Sequence, residues 1–118
     1  MSTRWPVVVA PGAGDRYGNV EFLARSADTP RFNVGIVTMA AGRRLHQHVH
    51  DDEDDSFYIL SGALTFEFGD ERLVAQPGTF VLVPPGVAHG FANEGEDEVR
   101  MLNIHAPAGF DLRIAASG

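Results

Sequence analysis

Two glycine-bounded segments carrying histidines run through the middle of this 118-residue chain, and their spacing favours short strands joined by tight turns. In the first, Gly42 is followed after five residues by His48-Val49-His50, after four more by Asp55, and after six more by Gly62. In the second, Gly78 leads after five residues to Pro84-Pro85-Gly86, then to His89 after two and to Asn93 after three. Glycine and proline at such intervals interrupt helices and favour chain reversal. Gly62, Gly78 and Gly86 therefore read as turn formers and Asn93 as a structural residue. Between the turns the pattern alternates. Leu64, Phe66 and Phe68 fall on one face and Thr65 and Glu67 on the other, the period of a half-buried strand, and Gly69-Asp70 marks a hairpin into a strand from Arg72 to Ala75. Thr79 to Val83, Ala88 to Ala92 and Val99 to His105 are further expected strands, with no helix. Strands at this spacing predict an all-β sandwich or barrel.

The histidines give that barrel a chemistry. Imidazole nitrogen and carboxylate oxygen are good ligands for divalent first-row metals, and His-x-His on a strand presents two imidazoles on one face. His48, His50 and His89 are the expected metal-ligating histidines. Asp55, Phe57 and Ile59 share one face of the following strand, which places a carboxylate and apolar side chains beside the site. His46 has the parity of His48 and His50 and reads as a residue of the pocket mouth or one that supports a ligand. His105, near the end of the last strand, reads as either a pocket or a surface residue.

These two segments resemble the paired motifs of the cupin superfamily, and HVHDDEDDSFYILSGALTFEFGDE and PGTFVLVPPGVAHGFANEGEDE are similar to small quercetin-dioxygenase-like cupins. The resemblance extends from about Phe22 to Asp111 and implies a single-domain jelly-roll barrel, the cupin double-stranded β-helix. It also implies one divalent transition metal (Fe, Mn, Ni, Cu or Zn) bound by His48, His50, His89 and the residue at position 55. One position departs from the pattern. Cupins usually have glutamate where this chain has Asp55, which is shorter by one methylene, a reach of roughly 1.5 Å against metal–oxygen bonds of about 2.0–2.2 Å. Asp55 is therefore expected either to ligate through a small backbone adjustment, in which case glutamate should be tolerated there, or to serve as a hydrogen-bond acceptor behind the ligands or as the proton-accepting base. Glu53 is the alternative carboxylate. The activity implied is a metal-dependent dioxygenase acting on a small phenolic or enolisable compound; a non-redox isomerase or lyase and a binding module without turnover are the alternatives.

Charge and composition narrow the partners. A net charge of −7 and a pI near 5.0 argue against a nucleic-acid groove or an anionic membrane surface, and Arg43 and Arg44 make too small a basic patch to reverse this. Without cysteine there is no disulfide and no thiolate ligand. No signal peptide is read at the N-terminus, so a cytoplasmic location is expected. The domain plan is an N-terminal arm over 1–21, a barrel over 22–114 and a frayed tail over 115–118. Trp5 to Val9 is too apolar to sit comfortably in water, so a homodimer is expected, with this segment on a partner's sheet edge.

Overall fold

In the computed structural model, which describes residues 5–117, the chain forms two antiparallel sheets that face each other. The strands are β1 (Asp15–Tyr17), β2 (Val20–Ala24), β3 (Asn33–Met39), β4 (Arg44–His48), β5 (Asp54–Ser61), β6 (Leu64–Phe68), β7 (Glu71–Ala75), β8 (Phe80–Val83), β9 (His89–Ala92) and β10 (Val99–Ala106). One sheet has the order β1-β2-β3-β10-β5-β8 and the other β4-β9-β6-β7. This is the jelly-roll arrangement expected from the sequence.

The turns do what their glycines require. Gly62, Gly78 and Gly86 have φ of 78°, 92° and 84°, a region that side chains with a Cβ rarely adopt. At Gly62 a Cβ would also fall 2.6 Å from the Glu98 carbonyl oxygen. Asn93 is structural as expected, donating to the carbonyls of Met39 and Asp97 and accepting from Gly95 N–H.

Period-two alternation decides which side chains enter the barrel, and their order along each strand decides what they meet there. On β10 the inward residues run Val99, Met101, Asn103, His105, from apolar to polar. On β5 the same face runs Asp55, Phe57, Ile59, from polar to apolar, and the antiparallel register sets His105 against Asp55 and Met101 against Ile59. The barrel consequently has one apolar end and one polar end. Phe57, Phe66 and Phe91 fill the middle with ring centroids 5.2, 5.5 and 5.8 Å apart in edge-on contacts. Full burial of side chains this large contributes roughly 1.5–3 kcal/mol each.

Two elements differ from the sequence expectation. Residues 15–17 and 20–21, assigned to the arm, form β1 and the start of β2 in the larger sheet. The end of the chain, expected to be without helix, forms α1 (Phe110–Ser117). Its first N–H groups have no local cap. The Asn33 side-chain oxygen, far away in sequence and fully buried, accepts from Gly109, Phe110 and Asp111 N–H at 3.0, 2.9 and 3.4 Å. Asp111 in turn accepts from the backbone and hydroxyl of Ser26 at 2.9 and 2.5 Å. A cap supplied by another strand leaves no local signature. Among the described residues no helix is long and apolar enough to cross a membrane.

Candidate metal centre

The polar end of the barrel gathers four histidines and one aspartate. β4 carries His48 but ends there, and His50 lies just beyond it rather than on the same strand. Its place is set by the second motif, since Gly86 N–H donates to the His50 carbonyl at 2.8 Å. β4 also carries an extra residue against β9: Leu45 pairs with Phe91, whereas His48 pairs with His89, so three steps on one strand match two on the other. Such a bulge re-aims the side chains that follow it. Gly90 makes room, for a Cβ there would fall 2.7 Å from the Leu45 carbonyl oxygen and 2.8 Å from Gln47 N. His46 is exposed and lines the cavity mouth.

The three motif histidines converge. Ring centroids lie 4.4 Å apart for His48 and His89, 4.9 Å for His48 and His50, and 5.4 Å for His50 and His89. His48 Nδ1 lies 3.1 Å from the His46 carbonyl and His89 Nδ1 2.9 Å from that of Val87. A carbonyl only accepts, so both Nδ1 atoms carry the proton and both Nε2 atoms are left as lone-pair donors. His89 Nε2 then faces Asp55 Oδ2 at 2.9 Å, and His50 Nε2, buried and without a hydrogen-bond partner, lies 3.4 Å from the same oxygen. Lone pairs that close require a positive charge, either a proton on the imidazole or a shared cation. Ligands about 2.1 Å from one metal ion and at right angles to each other are about 3 Å apart, so this spacing suits a common ion. Donor atoms of His48, His50, Asp55 and His89 all lie within 4.8 Å of one another.

Asp55 reaches this point despite its missing methylene. It is 2% exposed, and its Oδ1 accepts from Asn103 Nδ2 at 2.7 Å and sits 3.3 Å from His105 Nε2. Those two residues occupy one carboxylate oxygen and leave the other to His89 and His50. Burial pushes the Asp55 carboxyl up, but the hydrogen bonds with His105, His89 and Asn103 and the attraction of His105 outweigh it and hold the group well below the usual carboxylate range. For His89, burial lowers the pKa, and the hydrogen bonds to Asp55 and Val87 with the Asp55 charge reverse this and leave it raised. His50 is lowered, by burial first and then by its histidine neighbours.

Sequence reading left His105 undecided and passed over Asn103. The only local signal was the polar pair Asn103-Ile104-His105 on the inward parity of a strand otherwise lined by Val99 and Met101. His105 is buried and stacks on Phe110 of α1, with centroids 3.9 Å apart and planes at 18°. Glu53, the alternative carboxylate, is taken by Arg113 of α1 through bonds of 2.6 and 2.8 Å. It nonetheless shares a second donor group with His50 and His105, its Oε1 lying 3.8 Å from His50 Nδ1. A cavity of about 580 Å³ opens above the histidines, walled by Val37, Met39, Leu45, Phe57, Phe91 and Phe110.

A jelly-roll barrel with a histidine and carboxylate cluster at the floor of an apolar cavity defines a class of small barrel proteins, and comparison with known sequences agrees. The cupin domain family matches residues 35–105, and the chain belongs to that family. Polyketide synthase CurC of Streptomyces cyaneus is 26% identical over 69 residues, which cover 58% of this chain and 45% of that protein. Quercetin 2,3-dioxygenase of Bacillus subtilis is 24% identical over 111 residues, covering 90% of this chain and 33% of the enzyme. The chain thus spans half or less of either relative. Among solved structures, KdgF from a Halomonas species superimposes with a TM-score of 0.70 at 22% identity, covering 83% of this chain and 89% of that one.

Proposed function

We propose that this protein is a metal-dependent enzyme for a small organic compound, and that its reaction is the dioxygenation of a phenolic or enolisable substrate. The observation that carries the metal part is the convergence of His50 and His89 Nε2 on one oxygen of Asp55 at the cavity floor, with His48 beside them. His48, His50, His89 and Asp55 would hold one divalent transition metal. A metal with this nitrogen and oxygen set leaves positions for substrate or dioxygen and supplies Lewis acidity or redox chemistry.

The chain's own residues have separable tasks. Val87 and His46 carbonyls fix the tautomers of His89 and His48. Asn103 and His105 aim Asp55. The low proton affinity of Asp55 favours a role as ligand over that of base, because a carboxylate held ionised by its neighbours takes up protons poorly. The apolar wall excludes water from the reacting end of the substrate. The dioxygenase part is supported by the similarity to quercetin 2,3-dioxygenase. Anaerobic reconstitution with Fe, Mn, Ni, Cu or Zn, followed by an oxygen-electrode screen of phenols, enols and diketones, tests it. Oxygen uptake matched to substrate loss is expected with a redox metal; substrate conversion without oxygen uptake would replace the dioxygenase by an isomerase or lyase.

We also propose a homodimer. Trp5, Val7 and Val8 are 86%, 57% and 87% exposed, and Tyr58 and Phe80 form an exposed cross-strand pair next to the open edge of β8. An unpaired edge beside apolar side chains favours strand addition by a second copy. Deleting residues before Gly12 should weaken the dimer in sedimentation, and a wild-type monomer at micromolar concentration would refute it.

A further inference from the structure

The cavity above the histidines is chemically asymmetric, and the asymmetry bears on what it takes in. Its walls are apolar, its lining contains a single carboxylate, Asp55 at the floor, and its two guanidinium groups, Arg43 and Arg44, come from the other end of β4 and the turn before it. In a protein of net charge −7 this is an inversion of sign. Arg44 is already engaged, by Glu67 and by Glu94. Arg43 is exposed and, among the described residues, has no carboxylate partner. Gln47 does not compete for a ligand, because both ends of its amide bond the backbone of Gly69, at 2.8 and 2.9 Å.

A second observation places the charged end. Arg43 and Asn19 line both the apolar cavity and a neighbouring polar recess of about 300 Å³, to which Arg16, Thr38 and Glu98 also contribute. Arg16 there is held by Glu21 at 3.5 Å, which leaves Arg43 as the cation at the junction. The register gives a length. Asn93 N–H donates to the Arg43 carbonyl, so Arg43 sits beside a residue four positions beyond His89. At a strand rise of about 3.3 Å per residue, the backbone from His89 on β9 to Asn93 just beyond it spans about 13 Å.

We propose, on the reading of the floor as a metal site, that this cavity takes an elongated, mainly apolar organic anion. Its oxygen-bearing end lies on the metal and its carboxylate or other acidic group lies against Arg43, at the border of the polar recess. The guanidinium suits this task because its planar fork of donors matches a carboxylate and it never loses its charge. The apolar walls between the ends accept a fused aromatic body and offer it no hydrogen bonds.

The test uses the full chain loaded with zinc, which binds oxygen ligands without turnover, and two probes followed by calorimetry. One is a naphthalene carrying neighbouring hydroxyls on one ring. The other is the same diol with a carboxylate on the opposite ring. The carboxylated diol should bind roughly tenfold more tightly at low salt, as expected for a charge-assisted hydrogen bond, and the advantage should shrink as salt is raised. Arg43→Gln should bring its affinity down to that of the plain diol, whereas Arg31→Gln, exposed and away from the cavity, should preserve the difference. Equal binding of the two diols to the wild type, or an advantage that survives in Arg43→Gln, overturns the assignment while leaving the metal site intact. If neither diol binds zinc-loaded protein, the reading of the cavity as a metal-based substrate site falls, and this inference with it.

Discussion

Alanine at His50 or at His89 is expected to remove most of the metal from the purified protein, from up to one divalent ion per chain to a small fraction of that. The geometry gives the reason. His50 Nε2 is a buried nitrogen with no hydrogen-bond partner, and His89 Nε2 faces Asp55 at 2.9 Å. Each variant removes one imidazole from a set of four donors, and at His89 the ring removed is 1% exposed. His89→Ala also leaves Asp55 with one fewer partner, an effect on the order of 1–3 kcal/mol of stability. His50→Ala, at a half-buried position, is the cleaner variant. Elemental analysis after exhaustive dialysis, on protein whose fold is verified by circular dichroism, checks the outcome. Full occupancy in the double variant would show that the metal is held elsewhere, and the group formed by His50, Glu53 and His105 would itself lose His50 in that variant.

The second large effect is expected at Asp55 and at the two residues that aim it. Asp55→Ala should reduce metal affinity and turnover together, because the carboxylate is the anionic member of the donor set. Loss of turnover with metal retained would instead assign Asp55 the role of base. Asn103→Leu should weaken metal binding by roughly 10–100-fold, the range typical of residues that orient a metal ligand, since Asp55 Oδ1 would lose its 2.7 Å hydrogen bond and the carboxylate would be free to rotate. A chelator competition assay reads both. Glutamate at 55 was expected to be tolerated if the carboxylate ligates, but Asp55 already reaches its partners at 2.7–3.4 Å, so an added methylene would crowd the imidazoles. Overpacking of this kind costs about 1–3 kcal/mol, and Asp55→Glu should show it as a lowered melting temperature.

Short-range physics was enough to read part of this molecule from its residues. Alternation with period two identified the inward faces of β5 and β6, because successive side chains on a strand must point to opposite sides. Positive φ at Gly62, Gly78 and Gly86 follows from the need to reverse the chain in a few residues, and glycine does so without a Cβ clash. The donor types at 48, 50, 55 and 89 were legible because metal chemistry limits which side chains can serve.

Everything that turns those donors into one site depends on pairs far apart in the chain. His89 and Asp55 are 34 residues apart and Asn103 and Asp55 are 48 apart; the pairing of β5 with β10 brings the second pair within hydrogen-bond reach, and the packing of the sheet that holds β9 onto the sheet that holds β5 brings the first. The bulge between Leu45 and His48 changes parity without any mark in the sequence beyond Gly90 on the facing strand. Helix α1 escaped notice because Asn33 caps it across 76–78 residues, and its arrival settles the fate of Glu53, which Arg113 claims. Residue type and local period determined the candidate donors and the strands. The tertiary register decided which carboxylate meets the histidines, since hydrogen-bonded pairing between distant strands is set by the packing of the whole barrel rather than by any one segment.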